Sequence, residues 1–124
     1  MFKHVAIRVS NPEEIKNFYR NLLGMDLINQ RKLDLELSQK IFGKMTETQF
    51  FLLKKNDFYL EIFVDKAKVM TNYNHICIEV REREELIKKA KENGYPCTRI
   101  KRKKSDLIFI DDKSGNKFEI KVID

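Results

Sequence analysis

The chain is an internal repeat, and each half carries the same two chemical groups. His4 opens the segment HVAIRV at residues 4–9, and His75 opens HICIEV at residues 75–80. The halves close on similar segments, YLEIFV at 59–64 and KFEIKV at 117–122, which place Glu61 and Glu119 at matching positions. The sequence has no other histidine. A chain of 124 residues built this way is expected to fold as two related modules.

Hydrophobic spacing predicts nearly the same order of elements in both modules. In module one, residues 1–66, we expect strands at 2–9, 25–33, 46–53 and 58–65, a helix between Asn11 and Gly24, and a short helical insertion at 34–43. In module two, residues 67–124, we expect strands at 72–80, 96–102, 107–111 and 116–123 and one helix at 82–93. The predicted fold is α+β: two βαβββ modules forming paired concave mixed sheets in a single domain, residues 1–124. Residues 66–71 are the candidate joint.

Composition narrows the class of protein. The sequence is 42% hydrophobic and 35% charged, no stretch reaches the length of a membrane-spanning helix, and the first residues lead into a strand pattern without a signal peptide. We therefore expect a cytoplasmic protein. Cys77 and Cys97 lack the spacing of a disulfide framework and are predicted to be reduced thiols.

The net charge of +6 is concentrated in one basic run at residues 99–104. Such a run can attract nucleic acid or a membrane, but no aromatic residue is interleaved to stack on bases. We favour an exposed hairpin whose lysines discourage edge-to-edge pairing, and expect no nucleic-acid or membrane partner. A role in holding an anionic substrate stays open.

The repeated histidines and glutamates predict a metal site. Side chains alternate between the faces of a strand, so all four are expected on the face that points away from the helices. If the first and last strands of each module are neighbours, His4 lies beside Glu61 and His75 beside Glu119. Imidazole and carboxylate together suit one divalent ion, with Ni, Co or Zn favoured and Mn or Fe also open, and the absence of thiolates argues against a structural zinc site.

Several segments resemble the vicinal oxygen chelate superfamily, which contains glyoxalases, bleomycin resistance proteins and extradiol dioxygenases. The likeness spans essentially the whole chain and is carried by FKHVAIRV at 2–9, FYRNLLGM at 18–25, KIFG at 40–43, LEIF at 60–63, NHICI at 74–78 and DKSGNKFEI at 112–120. The resemblance implies paired βαβββ modules. It is closest to the glyoxalase I enzymes, which isomerise the hemithioacetal of methylglyoxal and a thiol.

The resemblance also implies roles for individual residues. It makes His4, Glu61, His75 and Glu119 the metal ligands, and Arg8 matches an arginine that holds a carboxylate of glutathione. The metal would stabilise an enediolate while a carboxylate moves a proton between neighbouring carbons. We expect Glu119 to be the base and Glu61 its partner on the opposite side. A small-molecule substrate and a homodimer are implied as well.

Two departures from the glyoxalase I pattern argue against glutathione itself. Asp65 stands where that family commonly has an asparagine, and Glu79 adds another carboxylate to the expected cavity face, so both are expected to repel an anionic thiol. Two other functional classes remain. One is a different metal-dependent enzyme of the superfamily, an epimerase or a dioxygenase, which Glu61 disfavours. The other is a metal-free protein that binds or sequesters a small molecule, which the intact ligand set disfavours.

Overall fold

The computed structural model describes residues 2–66 and 73–123 of the chain, which divides into two compact units, Met1–Lys68 and Val69–Asp124. Most of the expected joint at residues 66–71, and the first residue of the strand expected at 72–80, lie outside the described residues. The treatment of both modules as one domain stays a prediction. Each unit is described by itself below.

The first unit is a four-stranded mixed sheet. One helix lies in the connection between its first and second strands, and another between its second and third. Its elements are β1 (Val5–Val9), a π-helix (Ile15–Leu22), β2 (Asp26–Leu33), α1 (Leu35–Phe42), β3 (Thr48–Lys55) and β4 (Phe58–Val64). The strand order is β1-β4-β3-β2, with β1 parallel to β4 and the other neighbours antiparallel. The expected helical insertion is therefore present, as α1.

The second unit repeats this sheet without the insertion. Its elements are β5 (Ile76–Val80), α2 (Arg83–Glu92), β6 (Cys97–Ile100), β7 (Leu107–Asp111) and β8 (Lys117–Val122). The strand order is β5-β8-β7-β6, and β5 is parallel to its neighbour β8, as β1 is to β4. The α+β class and the order of elements are confirmed. Several ends differ: β1 begins at Val5 rather than residue 2, because its ladder with β4 begins at the Val5–Leu60 pair.

Strand alternation separates a core face from a polar face in each sheet, as expected. Leu60 and Ile62 of β4 are fully buried, whereas Glu61 between them is only partly covered. In β8, Phe118 and Ile120 are likewise buried on either side of Glu119. Burying the apolar residues is the main favourable contribution to folding. It also turns both glutamates to the opposite face.

The two modules differ by one residue between the first histidine and the glycine that ends the first helix. The interval from His4 to Gly24 is 20 positions, and that from His75 to Gly94 is 19. The first helix is a π-helix, whose wider turn is seen where Leu23 N donates to Phe18 O at 2.9 Å, whereas the helix of the second unit is an α-helix. Both helices then end at a glycine with positive φ.

Candidate functional site

His4 and Glu61 lie together in the first unit. Parallel pairing places Ala6 of β1 opposite Glu61 of β4, and His4, two residues before Ala6, points to the same face. His4 Nε2 is 3.5 Å from Glu61 Oε1. The histidine side chain is 45% exposed and the glutamate 24%. The predicted adjacency is confirmed for this module.

The second unit contains the same arrangement. Cys77 of β5 lies opposite Glu119 of β8, and His75 precedes Cys77 by two residues, so the register offset matches that of the first unit. His75 Nε2 is again 3.5 Å from Glu119 Oε1, with the side chains 42% and 16% exposed. The two modules thus present equivalent imidazole–carboxylate pairs.

The hydrogen bond of His75 determines which ring nitrogen is available. Nδ1 lies 3.0 Å from the main-chain oxygen of Tyr73, and a carbonyl oxygen only accepts, so Nδ1 carries a proton. In the neutral ring, Nε2 then presents a lone pair toward the carboxylate of Glu119. Phe109 meets the imidazole edge to face at 5.9 Å and helps to orient it. A metal ion can share that lone pair with the carboxylate oxygen.

The donor set of each pair fits a divalent metal. Bonds from such ions to imidazole nitrogen or carboxylate oxygen are about 2.1 Å, so one ion can reach both atoms of a pair separated by 3.5 Å. Within the described parts of either unit, no group of three or more His, Cys, Asp or Glu side chains is assembled. Ligation by His4, Glu61, His75 and Glu119 together stays a prediction.

Arg8 and Asp65 lie at the end of the β1–β4 ladder. The guanidinium Nη1 of Arg8 donates to the main-chain oxygen of Asp65, and Asp65 N donates to Val9 O at 2.9 Å. Asp65 Oδ2 is 3.0 Å from Nζ of Lys44, and repulsion of an anionic thiol by Asp65 stays a prediction. Sequence reasoning missed Lys44. The only local signal was its position after the helix-ending Gly43.

A cavity of about 300 Å³ adjoins Glu119 in the second unit. The β7–β8 ladder stops at the Phe109–Glu119 pair, so Leu107 of β7 has no partner in that ladder on β8. The space is lined by apolar residues and by six charged ones: Glu79, Arg83, Arg102, Asp106, Glu119 and Lys121. Lys121 Nζ is 3.7 Å from Glu119 Oε2. Glu79 is opposite Lys121 on the neighbouring strand, so the two side chains share one face of the sheet.

The first residue of the basic run is part of the scaffold. Arg99 donates to Glu84 of α2 at 2.7 and 3.0 Å and to Asp106 at 2.7 Å. These hydrogen bonds lower the pKa values of the Glu84 and Asp106 carboxyls below their ordinary range and raise that of Arg99. The network connects α2 to β6 and the loop that follows it. Arg99 is therefore an exposed residue whose guanidinium is held by two carboxylates.

Neither cysteine forms a disulfide. Cys77 lies on the face of Glu119, and partial burial followed by the negative charge of Glu119 raises the pKa of its thiol. Burial also raises the pKa of Cys97. Both effects favour the protonated thiol, which is the less reactive form. The prediction of two reduced thiols is confirmed.

No helix in the described part of the chain has the length and hydropathy needed to cross a membrane.

Curated relatives resemble this chain at low identity. Lactoylglutathione lyase of Escherichia coli O157:H7 is 27% identical over 122 residues, which cover 94% of this chain and 88% of the relative. A protein of Arabidopsis thaliana, described as a probable chloroplastic lactoylglutathione lyase, is 29% identical over 122 residues. The chain spans about a third of that plant protein's length, since the match covers 34% of it.

A solved structure supports the fold. The glyoxalase family protein of Enterococcus faecalis superposes with a TM-score of 0.73 at 22% identity, covering 97% of this chain and 95% of the other. Residues 1–120 match the family model described as Glyoxalase/Bleomycin resistance protein/Dioxygenase superfamily. With its repeated mixed sheets and its matched imidazole–carboxylate pairs, the chain belongs to the glyoxalase/bleomycin resistance protein/dioxygenase superfamily.

Proposed function

We propose that this protein is a metal-dependent lyase of the glyoxalase I type, acting on the hemithioacetal that an α-keto aldehyde forms with a thiol. The observation that carries the proposal is the equivalence of the two pairs: each module holds a histidine Nε2 3.5 Å from a glutamate Oε1. The similarity to lactoylglutathione lyases supports the same reaction class. A cytoplasmic location is part of the proposal.

Both pairs are needed for the proposed centre. His4 and Glu61 would supply two ligands, and His75 and Glu119 the other two, from one chain or from two copies of it. A divalent ion held there would supply Lewis acidity toward the substrate oxygens. Ni, Co and Zn are the favoured ions, because all three accept imidazole and carboxylate ligands.

The carboxylates of the chain would move the proton. Glu119 would remove the proton from the carbon that bears sulfur and return it to the neighbouring carbon, while the hydroxyl proton passes to the neighbouring oxygen. The product is the thioester of a 2-hydroxy acid, so atoms balance without an oxidant. Glu119 is the more enclosed of the two glutamates, with its side chain 16% exposed against 24% for Glu61. Enclosure keeps water from competing for the transferred proton.

The test is turnover of methylglyoxal with glutathione and with neutral thiols by protein loaded with Ni, Co or Zn. Thioester formation is followed by ultraviolet absorbance. Glu119→Gln should keep the fold, checked by circular dichroism, and lower turnover roughly 10²-fold or more, the usual contribution of a positioned base. Glu36→Gln, at an exposed position of α1, is the matched control and should keep wild-type turnover.

Two results would contradict different parts of the proposal. No turnover by any metal form with any thiol would refute the lyase function. Wild-type turnover in Glu119→Gln would leave the reaction class intact and remove Glu119 as the base.

A further inference from the structure

Two arginines of the second unit line one cavity and donate only to neutral acceptors. Arg83, the first residue of α2, donates from Nη1 to Ser105 Oγ at 3.4 Å and to Asp106 O at 3.2 Å. Arg102 donates from Nε to Ser105 O at 3.3 Å. Neither guanidinium forms an ion pair with a carboxylate in the part of the chain that the structure describes. Both side chains line the cavity of about 300 Å³ that adjoins Glu119.

A third arginine holds the carboxylates beside this cavity. Arg99 donates to Glu84 at 2.7 and 3.0 Å and to Asp106 at 2.7 Å. Arg83 keeps a buried donor, Nε, that has no hydrogen-bond partner among the described residues. A buried donor without an acceptor and two like charges at one cavity both cost free energy. An oxyanion bound between the guanidiniums of Arg83 and Arg102 would relieve both costs.

The cavity lies where the sheet of the second unit opens between β7 and β8. The β7–β8 ladder stops at the Phe109–Glu119 pair, whereas β8 continues beside β5 to its end. In the first unit, the equivalent β3–β4 ladder continues past Glu61 to the pair of Phe50 and Phe63. The opening between the last two strands is therefore a feature of the second unit.

The acidic residues of the lining have a cation of their own. Glu79 and Glu119 both line the cavity, and Lys121 lies between them on the same face of the sheet. Its Nζ is 3.7 Å from Glu119 Oε2, and Glu79 is its partner in the β5–β8 ladder. The two guanidiniums are thus the part of the lining suited to an anion.

We propose that the cavity between β7 and β8 binds a small organic phosphate or phosphonate, whose oxyanion is held by Arg83 and Arg102. Each guanidinium presents a planar fork of donors that matches phosphoryl oxygens. A phosphate monoester offers three terminal oxygens to the two forks, whereas a carboxylate offers two. The carbon portion packs on the apolar lining residues Leu107 and Val122. The volume is at the lower end of the range for small-molecule pockets, about 300 to 1,000 Å³. This site goes beyond the proposed lyase function and does not depend on it.

The test is calorimetric titration with propyl phosphate at about pH 8, where a phosphate monoester is a dianion. Arg83→Gln and Arg102→Gln should each weaken binding about 10-fold or more, because each removes hydrogen bonds between charged groups. Arg83→Lys should recover only part of the affinity, since an ammonium keeps the charge without the fork. Lys103→Gln is the matched control: it removes an exposed charge of the same basic run outside the lining, and should keep the affinity within about twofold.

A series of ligands identifies the chemical class. Propyl phosphate should bind more tightly than methyl phosphate, by about fourfold for each methylene that the cavity buries. Butyrate, which carries a carboxylate on the same propyl chain, should bind about 10-fold more weakly than propyl phosphate. Equal affinities for the two phosphates would overturn the organic class, because phosphate itself would then be the ligand. Butyrate that bound as tightly as propyl phosphate would overturn the choice of a phosphoryl group.

Two controls locate the bound anion and keep the test valid if one variant is unstable. Arg102 is exposed, so Arg102→Gln should keep the fold, checked by circular dichroism, even if Arg83→Gln does not. Affinity for propyl phosphate should agree within about twofold between chelator-treated protein and protein reconstituted with Zn²⁺, as for independent sites. Binding that requires Zn²⁺, or that survives Arg102→Gln unchanged, would place the anion elsewhere and refute the site. Wild-type protein that binds no propyl phosphate at millimolar concentration would refute it as well.

Discussion

Replacing His75 with alanine should weaken binding of Zn²⁺ or Co²⁺ about 10²-fold. The ring is oriented by the hydrogen bond from Nδ1 to Tyr73 O, and Nε2 is 3.5 Å from Glu119 Oε1. Four-ligand zinc sites bind with roughly 10 to 16 kcal/mol, so one ligand in four contributes about 3 kcal/mol. Each 1.4 kcal/mol is about tenfold in affinity, which gives the factor stated.

The equivalence of the two modules makes this prediction symmetric. His4 is also 3.5 Å from its glutamate, so His4→Ala should lose metal affinity to the same extent within a few-fold. Competition titration with a chromophoric chelator measures the dissociation constants, and plasma spectrometry measures the metal content. Glu79→Gln is the control, because it removes an exposed carboxylate from the strand that follows His75.

Three outcomes would refute the reasoning. Wild-type protein that retains no metal after reconstitution with Ni, Co and Zn would exclude the centre. Loss of affinity in Glu79→Gln as large as in His75→Ala would point to general electrostatics and not to ligation. A loss of metal affinity in only one of the two histidine variants would exclude a site built equally from both modules.

Three further predictions concern assembly and stability. The protein should be a homodimer, and light scattering that gives a mass near the 14.9 kDa of one chain at micromolar concentration would count against it. Leu60→Ala should lower the free energy of unfolding by about 2 to 5 kcal/mol in denaturant titrations, because Leu60 is fully buried, and a loss below about 1 kcal/mol would contradict its place in the core. Arg99→Ala should lower Tm at about pH 7, and the difference in Tm should narrow at about pH 3. The reason is that the pKa values of the Glu84 and Asp106 carboxyls are lowered in the folded protein. Their stabilising interaction with Arg99 is therefore fully present above the ordinary carboxyl pKa and is lost as pH falls through the pKa of the folded state. A Tm difference independent of pH would exclude that origin.

Much of the fold followed from local pattern in the sequence. Alternating apolar residues separated Leu60 and Ile62 from Glu61, and the structure confirms that separation. Strand periodicity depends only on backbone geometry, which is why it can be read without tertiary information. The helix ends at Gly24 and Gly94 could also be predicted from the sequence, since positive φ favours glycine. The π-helical form of the first helix was not predicted.

The sequence by itself determined which residues repeat, and therefore which histidine and glutamate belong to each module. Tertiary structure decided their separations, because the registers of the β1–β4 and β5–β8 ladders place each pair at 3.5 Å. It also decided the electrostatics around Arg8. Lys44 is 21 positions from Asp65 along the chain, and only folding brings its Nζ to 3.0 Å from the Asp65 carboxylate. The reason is physical: faces are set by the local backbone, but the partners of a charge are set by which elements meet.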